Sequence, residues 1–256
     1  MSYKDKVLPI VQKTRDITLP SFGVADIIEK KSVHPSDILT ELDGKVEKFL
    51  REELAKIYPD ISFVGEEEGG DRSAKRFWLC DPIDGTGHYM RGLPFCTTML
   101  ALIEDGVVNF SVVYDFVNDK MYWAERGKGA YCNYEPMHVS DRTLSDGYIC
   151  EELRLSNYKT NSLFTILEGK AGYFHSINAG WEFAMIAMGK LEARVCFDPW
   201  GKDYDFAPGS LLVSEAGGKV TNIGSESYDY SNRDFIAANP KVHAELVEIF
   251  KNQINL

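Results

Sequence analysis

Asp81 and Asp84 stand three residues apart in Leu79-Cys-Asp-Pro-Ile-Asp-Gly-Thr86, where an apolar run meets two carboxylates and then Gly-Thr. Carboxylates at a strand end suit a hard cation, since Mg2+ is held by one or two carboxylates completed by substrate phosphate. Phe77, Trp78, Leu79 and Cys80 read as a short buried strand, because an apolar run this brief bounded by turn residues is extended more often than helical. Pro82 fixes φ and withholds an amide hydrogen, which is expected to turn the chain so that Asp84 returns towards Asp81. A helix starting at Gly85 would leave the amides of Gly85, Thr86 and Gly87 facing an anion. Carboxylates for a cation beside amides for an anion are the requirements of a metal-dependent phosphate site.

Asp-Pro and Asp-Gly are also common turn dipeptides, so the motif alone has an ordinary structural reading. Two further features weigh against it. Ile61-Ser-Phe-Val-Gly-Glu-Glu-Glu68 is a second apolar strand ending in acid, which singles out Glu66, and the stretch from Asp198 to Asp205 adds a third acidic group. An acidic run is usually a solvated face, but these lie directly after apolar strands.

Gly65-Glu66-Glu67, Asp81-Pro-Ile-Asp-Gly-Thr86, Tyr204-Asp-Phe-Ala-Pro-Gly209 and Glu215-Ala-Gly-Gly218 stand in the order and approximate spacing of the inositol monophosphatase family, which the chain resembles. Between them, Val112-Val-Tyr114, Lys120-Met-Tyr122, Gly127-Lys-Gly-Ala130 and Tyr131-Cys-Asn133 are similar to it as well. Ser36-Asp-Ile-Leu-Thr-Glu-Leu-Asp43 resembles the early Thr-x-x-Asp element. The likeness covers roughly residues 30–220, and the pairing of Gly-Glu-Glu with Asp-Pro-Ile-Asp-Gly-Thr is specific for the superfamily rather than for one substrate.

The resemblance implies a Mg2+-dependent, lithium-sensitive phosphatase with two or three ions. Glu66, Asp81 and the Ile83 carbonyl would bind the first ion, and Asp81, Asp84 and Asp205 the second. Bridging by Asp81 would set them about 4 Å apart, close enough to clamp the attacking and leaving oxygens of an in-line displacement. Water is then the nucleophile, with Glu66 and a Thr86 hydroxyl bonded to Asp43 orienting it and receiving its proton. Asp84, Gly85, Thr86, Gly87, Asp198 and Asp205 would border the substrate. No phosphoenzyme is required.

Neighbouring chemistries fail on spacing. A haloacid-dehalogenase-type nucleophile needs Asp-x-Asp, whereas the chain has Asp81-x-x-Asp84, and Gly218-Lys219-Val220 lacks the upstream glycine and the hydroxyl of a P-loop. Departures from the family pattern concern substrate choice. His88 stands where Asn is usual, Asn178-Ala179-Gly180-Trp181 replaces a Gly-Ser/Thr-Ala-Ala element, and Pro208 is expected in the first turn of a helix opened by Asp205. Asp198 lies seven residues before Asp205, the spacing of a family acid that contacts substrate hydroxyls, but the loop is about two residues longer.

The net charge of −11 disfavours nonspecific nucleic-acid binding, since a polyanion would be repelled and the basic segment Glu29-Lys-Lys31 is short. Five cysteines without a Cys-x-x-Cys pair favour reduced thiols and a cytoplasmic setting. The start, Met1-Ser-Tyr-Lys-Asp-Lys6, carries no apolar leader core, and no run reaches membrane-spanning length.

These residues require positioning elements. Ser36 and Asp37 are expected to cap a helix carrying Val46, Phe49, Leu50, Leu54 and Ile57 and ending before Pro59. Residues 97–133 read as an antiparallel meander broken at Glu104-Asp-Gly106, Asn118-Asp119 and Arg126-Gly-Lys-Gly129. Residues 181–189, 205–216 and 240–254 read as helices, and 193–197 as a strand. The expected class is α/β, an α+β sandwich in one phosphatase domain over residues 1–256, with approximate halves 1–140 and 141–256. Family resemblance implies α-β-α-β-α layering and a homodimer. The leading function is hydrolysis of a small phosphate monoester, inositol monophosphate first. Fructose-1,6-bisphosphatase, histidinol-phosphatase and 3′-phosphoadenosine nucleotide phosphatase are the alternatives, together with a noncatalytic phosphate-binding module.

Overall fold

The structure, a computed structural model, describes residues 2–30, 38–154 and 158–254. It begins with helices α1 (Lys4–Gln12) and α2 (Thr14–Thr18), followed by the paired strands β1 (Ile27–Lys30) and β2 (Ile38–Thr40). Helix α3 (Glu41–Ile57) buries Val46, Leu50 and Leu54, one residue per helical turn, against the sheet behind it. Its cap is Thr40 rather than Ser36 or Asp37, which lie outside the described residues. The Thr40 hydroxyl accepts from the Leu42 amide at 3.2 Å, and the Asp43 carboxylate accepts from the Thr40 amide at 2.8 Å.

Strands β3 (Ser62–Gly65) and β4 (Arg76–Asp84) are parallel. Past the short helix α4 (Thr86–Tyr89), the chain builds the expected meander of β5 (Thr97–Glu104), β6 (Val107–Asp115), β7 (Lys120–Glu125) and β8 (Ala130–Cys132), which β9 (Glu135–Pro136) extends past the expected end at residue 133. The seven strands form one sheet in sequence order.

The expectation that β4 ends at Cys80 is corrected. The strand runs on to Asp84 and the register shifts between Asp81, opposite Met99, and Asp84, opposite Thr97. Three steps along β4 therefore match two along β5, which is a bulge. In an unbroken strand, side chains three apart point to opposite faces. The extra residue turns both aspartates to one face, so Pro82 acts within a bulged strand rather than in a turn after it.

A second sheet has strand order β11 (Gly172–His175), β10 (Tyr148–Leu153), β12 (Ala193–Phe197), β14 (Phe235–Ala238) and β13 (Lys219–Asn222). Strands β10, β11 and β12 are parallel, so their carboxyl ends share one edge. The helices of this half are α5 (Tyr158–Glu168), α6 (Ala179–Ala187), α7 (Asp203–Glu215) and α8 (Pro240–Ile254).

Side-chain clusters define the layers. Val7, Ile10 and Val11 of α1 join the α3 residues against Trp78, Cys80, Leu100 and Leu102 on one face of the large sheet. Leu79, Met99 and Ala101 on its other face meet Ala184 of α6 and Ala207, Leu211 and Leu212 of α7. Phe183 of α6 and Phe206 and Val213 of α7 also pack on Cys150, Cys196 and Phe235 of the second sheet. The outer face of that sheet is covered by Leu163 and Leu167 of α5 and Val242, Leu246 and Phe250 of α8. The expected α-β-α-β-α order is present. Helix α6 starts two residues before the expected Trp181, and α7 starts at Asp203, not Asp205. Pro208 thus lies in the second turn of α7, where it removes an intrahelical hydrogen bond that a first-turn position would have spared.

Candidate active site

The bulge aims Asp81 and Asp84 at the layer holding α6 and α7, and α7 brings Asp205 to meet them. Carboxylate oxygens of the three residues lie within 4.8 Å of one another. Burial raises the pKa of Asp81 well above the usual carboxylate range, reinforced by the charges of Glu66, Asp205 and Asp84. Burial likewise raises Asp205 well above its usual range, with Asp84 and Glu66 adding to the effect. Asp84 is pushed up to about 6 by burial, against the opposing pull of the Gly180 amide, the Arg194 charge and the Thr97 hydroxyl.

Such a set is stable in its fully ionised form only with a cation among its oxygens. Asp81 Oδ1 is buried and has no hydrogen-bond partner among the described residues, as expected of an oxygen kept for a ligand. The all-oxygen donor set fits Mg2+.

The supports of Asp84 come from far along the chain. Its Oδ2 accepts from the Gly180 amide at 2.7 Å and from the Thr97 hydroxyl at 3.2 Å, and its carbonyl accepts from Asn178 Nδ2 at 3.1 Å. Asn178 also caps α6, accepting from the Trp181 amide at 2.8 Å. Gly180 is required by proximity, since a Cβ there would lie 2.2 Å from Thr97 Oγ1. The Asn-Ala-Gly-Trp segment, which departs from the family pattern, is thus a holder of Asp84. Asp205 accepts from the Lys202 amide at 2.5 Å at the start of α7.

Thr86 and Asp43 meet as the resemblance implied, with Thr86 Oγ1 3.0 Å from Asp43 Oδ1 and 2.8 Å from the Ile83 carbonyl. Asp43 is fully buried, and burial raises its pKa despite hydrogen bonds from Thr40 and Thr86. Gly85 reaches this arrangement through a left-handed backbone, φ 84°, and a Cβ there would lie 2.5 Å from the Phe95 carbonyl. Gly87 is buried in α4, the helix expected after Gly85.

Glu66 lies outside the carboxylate trio, but its charge acts on Asp43, Asp81 and Asp205. Its loop is set by Glu47, a residue the sequence reading passed over. The buried Glu47 carboxylate accepts from the amides of Glu67 at 2.8 Å and Glu68 at 3.0 Å, and from Arg51 at 2.8 Å. The i,i+4 spacing of Glu47 and Arg51 was the available signal.

Asp198 does not join the trio. It sits beyond β12 with φ 48°, its amide donates to Asp234 at 2.7 Å, and its carboxylate lies 3.9 Å from Arg154 Nε. His88 is half-buried and packs edge-on against Phe95, with ring centroids 6.2 Å apart, and burial lowers its pKa.

Comparison with known proteins gives the family and the fold. The profile of the inositol monophosphatase family matches residues 10–255. A fructose-1,6-bisphosphatase/inositol-1-monophosphatase of Thermotoga maritima is 29% identical over 255 residues, 97% of this chain and 96% of its own. Inositol monophosphatase 1 of Homo sapiens is 31% identical over 227 residues, 83% of this chain and 81% of its own. The solved structure of a Thermotoga maritima IMPase superposes with a TM-score of 0.89 at 27% identity, covering 100% of this chain and 99% of that one. The chain belongs to the inositol monophosphatase family and is a phosphoric monoester hydrolase with that family's fold.

Proposed function

We propose that this chain is a Mg2+-dependent phosphomonoesterase for a small phosphorylated alcohol, with inositol monophosphate the leading substrate. The observation that carries the reading is the trio of buried Asp81 and Asp84 with partly exposed Asp205, Asp81 Oδ1 being unpartnered among the described residues, beside the Thr86–Asp43 pair. Glu66, Asp81 and the Ile83 carbonyl would hold one ion, and Asp81, Asp84 and Asp205 a second. Once bound, the ions supply charge neutralisation for the phosphoryl oxygens and a water of lowered pKa.

The chain's own groups do the rest. Glu66 takes the proton of the attacking water, which the Thr86 hydroxyl, backed by Asp43, helps to orient. Gly85, Thr86 and Gly87 direct backbone amides at the phosphate, favoured by the left-handed turn at Gly85. Residues 178–204 border the alcohol, with Asp198 at their rim.

Both halves of the chain supply carboxylates to the trio, which favours one catalytic unit. A homodimer is proposed on family resemblance. A cytoplasmic setting is consistent with the free state of all five cysteines. No helix among the described residues is long and apolar enough to cross a membrane.

Phosphate release with and without Mg2+ tests the reading on inositol 1-phosphate, fructose 1,6-bisphosphate, histidinol phosphate and 3′-phosphoadenosine 5′-phosphate. One Mg2+-dependent winner identifies the substrate. Silence across the panel from folded protein would favour the noncatalytic module. Lithium is expected to inhibit at elevated Mg2+, and insensitivity would argue for an altered second site.

A further inference from the structure

Arg194, on β12, is fully buried, and the sequence motifs do not include it. Its guanidinium lies 5.5 Å from the ring centre of Phe183 and 5.4 Å from that of Phe206. Nη1 donates to Ser176 Oγ at 2.9 Å and to Glu182, and Nη2 donates to Glu152. Glu182 is also fully buried. A buried ion triad of this kind is often no more stabilising than apolar packing of the same volume, so stability alone is a weak account of it.

The two carboxylates hold backbone on either side of the acidic trio. Glu182 Oε1 accepts from the amides of Ile177 at 2.6 Å and Asn178 at 3.2 Å. Asn178 in turn bonds the Asp84 carbonyl, and the same turn of α6 delivers the Gly180 amide to the Asp84 carboxylate. Glu152 Oε1 accepts from the amides of Trp200 and Gly201, both at 2.8 Å, in the turn that leads into α7 and Asp205. One guanidinium therefore ties together the two segments whose placement sets Asp84 and Asp205. Its planar fork suits this role, since it reaches two carboxylates and a hydroxyl at once.

We propose that Arg194 is a positioning residue of the metal site, acting on Asp84 through Glu182 and Asn178 and on Asp205 through Glu152 and the Trp200–Gly201 turn. The inference rests on the phosphatase reading of the trio. The test is Mn2+ binding without substrate, by counting free Mn2+ with electron paramagnetic resonance, on the full chain stripped with EDTA. Wild type is compared with Arg194→Lys, Glu182→Gln and Glu152→Gln well below each melting temperature. Arg194→Lys keeps the charge but not the fork, and its Mn2+ Kd is expected to rise up to about 10-fold, the lower end of the cost of losing a direct partner of a metal ligand, because Arg194 acts through Glu182 and Glu152. Each glutamine variant is expected to weaken binding, and neither should add its full loss to that of Arg194→Lys, because they share one network.

Folded Arg194→Lys with a lowered melting temperature and the wild-type Mn2+ Kd would overturn the inference. If Arg194→Lys does not fold, Glu182→Gln decides, and wild-type affinity in that variant overturns it equally. Wild-type chain that binds Mn2+ and releases phosphate while all variants match it removes only the role of Arg194. Wild-type chain that binds no Mn2+ removes the phosphatase reading as well.

Discussion

Asp81 is the residue at which stability and function oppose each other. Its carboxylate is buried among Asp84, Asp205 and the field of Glu66, and its pKa is raised well above the usual range. Without a cation, that repulsion is a cost to the folded state. Asp81→Asn is therefore expected to abolish Mg2+-dependent turnover yet raise the metal-free melting temperature by roughly 2–4 °C, the shift that about 1 kcal/mol produces in a chain of this size. Calorimetry in EDTA checks it, and a lowered melting temperature would contradict the repulsion argument. Asp84→Asn should lose about 100-fold or more in kcat by removing a ligand charge from the proposed second ion, and near-normal turnover would sink the two-ion assignment. Gly180→Ala makes a separate demand, because its Cβ would lie 2.2 Å from Thr97 Oγ1 and 3.1 Å from Asp84 Oδ2. It should raise the Mg2+ concentration needed for half-maximal activity about tenfold while leaving circular dichroism unchanged.

At the scale of elements, helix termini and strand irregularities carry the site. Thr40 closes the first turn of α3 by accepting from the Leu42 amide, and its own amide and hydroxyl donate to the Asp43 carboxylate, which faces Thr86. Thr40→Ala is expected to cost about 1 kcal/mol as a lost cap and to lower kcat as Asp43 loses the Thr40 hydroxyl, one of its three donors, whereas Thr40→Ser should retain both. Thermal melts and kinetics on the pair separate these effects. The Glu215 carboxylate at the end of α7 accepts from the amides of Gly127 and Gly129, both at 2.9 Å, and so ties the helix carrying Asp205 to the β7–β8 turn. Two of the stretches that carry the family resemblance, Gly127-Lys-Gly-Ala130 and Glu215-Ala-Gly-Gly218, are thus partners in space. The meander and the helix over residues 240–254 were legible from turn residues and periodicity. The start of α7 was less so, because Asp203 and Asp205 offer nearly equivalent openings.

At the scale of the whole molecule, the second sheet and its outer helix contribute a titration distinct from that of the acidic trio. His243 of α8 is buried, its ring lies 2.9 Å from Thr221 Oγ1, and burial lowers its pKa to about 4. The unfolded chain therefore binds more protons between that value and the ordinary histidine pKa, so stability rises with pH across this window and is lost as pH falls through it. The acidic trio works in the opposite sense, since a raised carboxylate pKa makes the metal-free fold less stable as pH rises. A difference measurement isolates the histidine. From pH 7 to pH 5 the wild type should lose about 2 kcal/mol relative to His243→Gln, and parallel denaturation curves for the two would refute this.

The sequence by itself determined the chemistry on offer: clustered carboxylates after apolar strands, a glycine turn beside a threonine, and a family likeness that carried the layered fold with it. These are properties of residue type and short-range periodicity, readable without knowing what lies opposite. Only the tertiary structure decided the bulge that turns Asp81 and Asp84 to one face, the Gly180 amide that reaches Asp84 from 96 positions away, and the Arg194 fork behind both. Register and long-range contact depend on how sheets and helices pack, and packing is set by many weak contacts at once rather than by any segment that could be read alone.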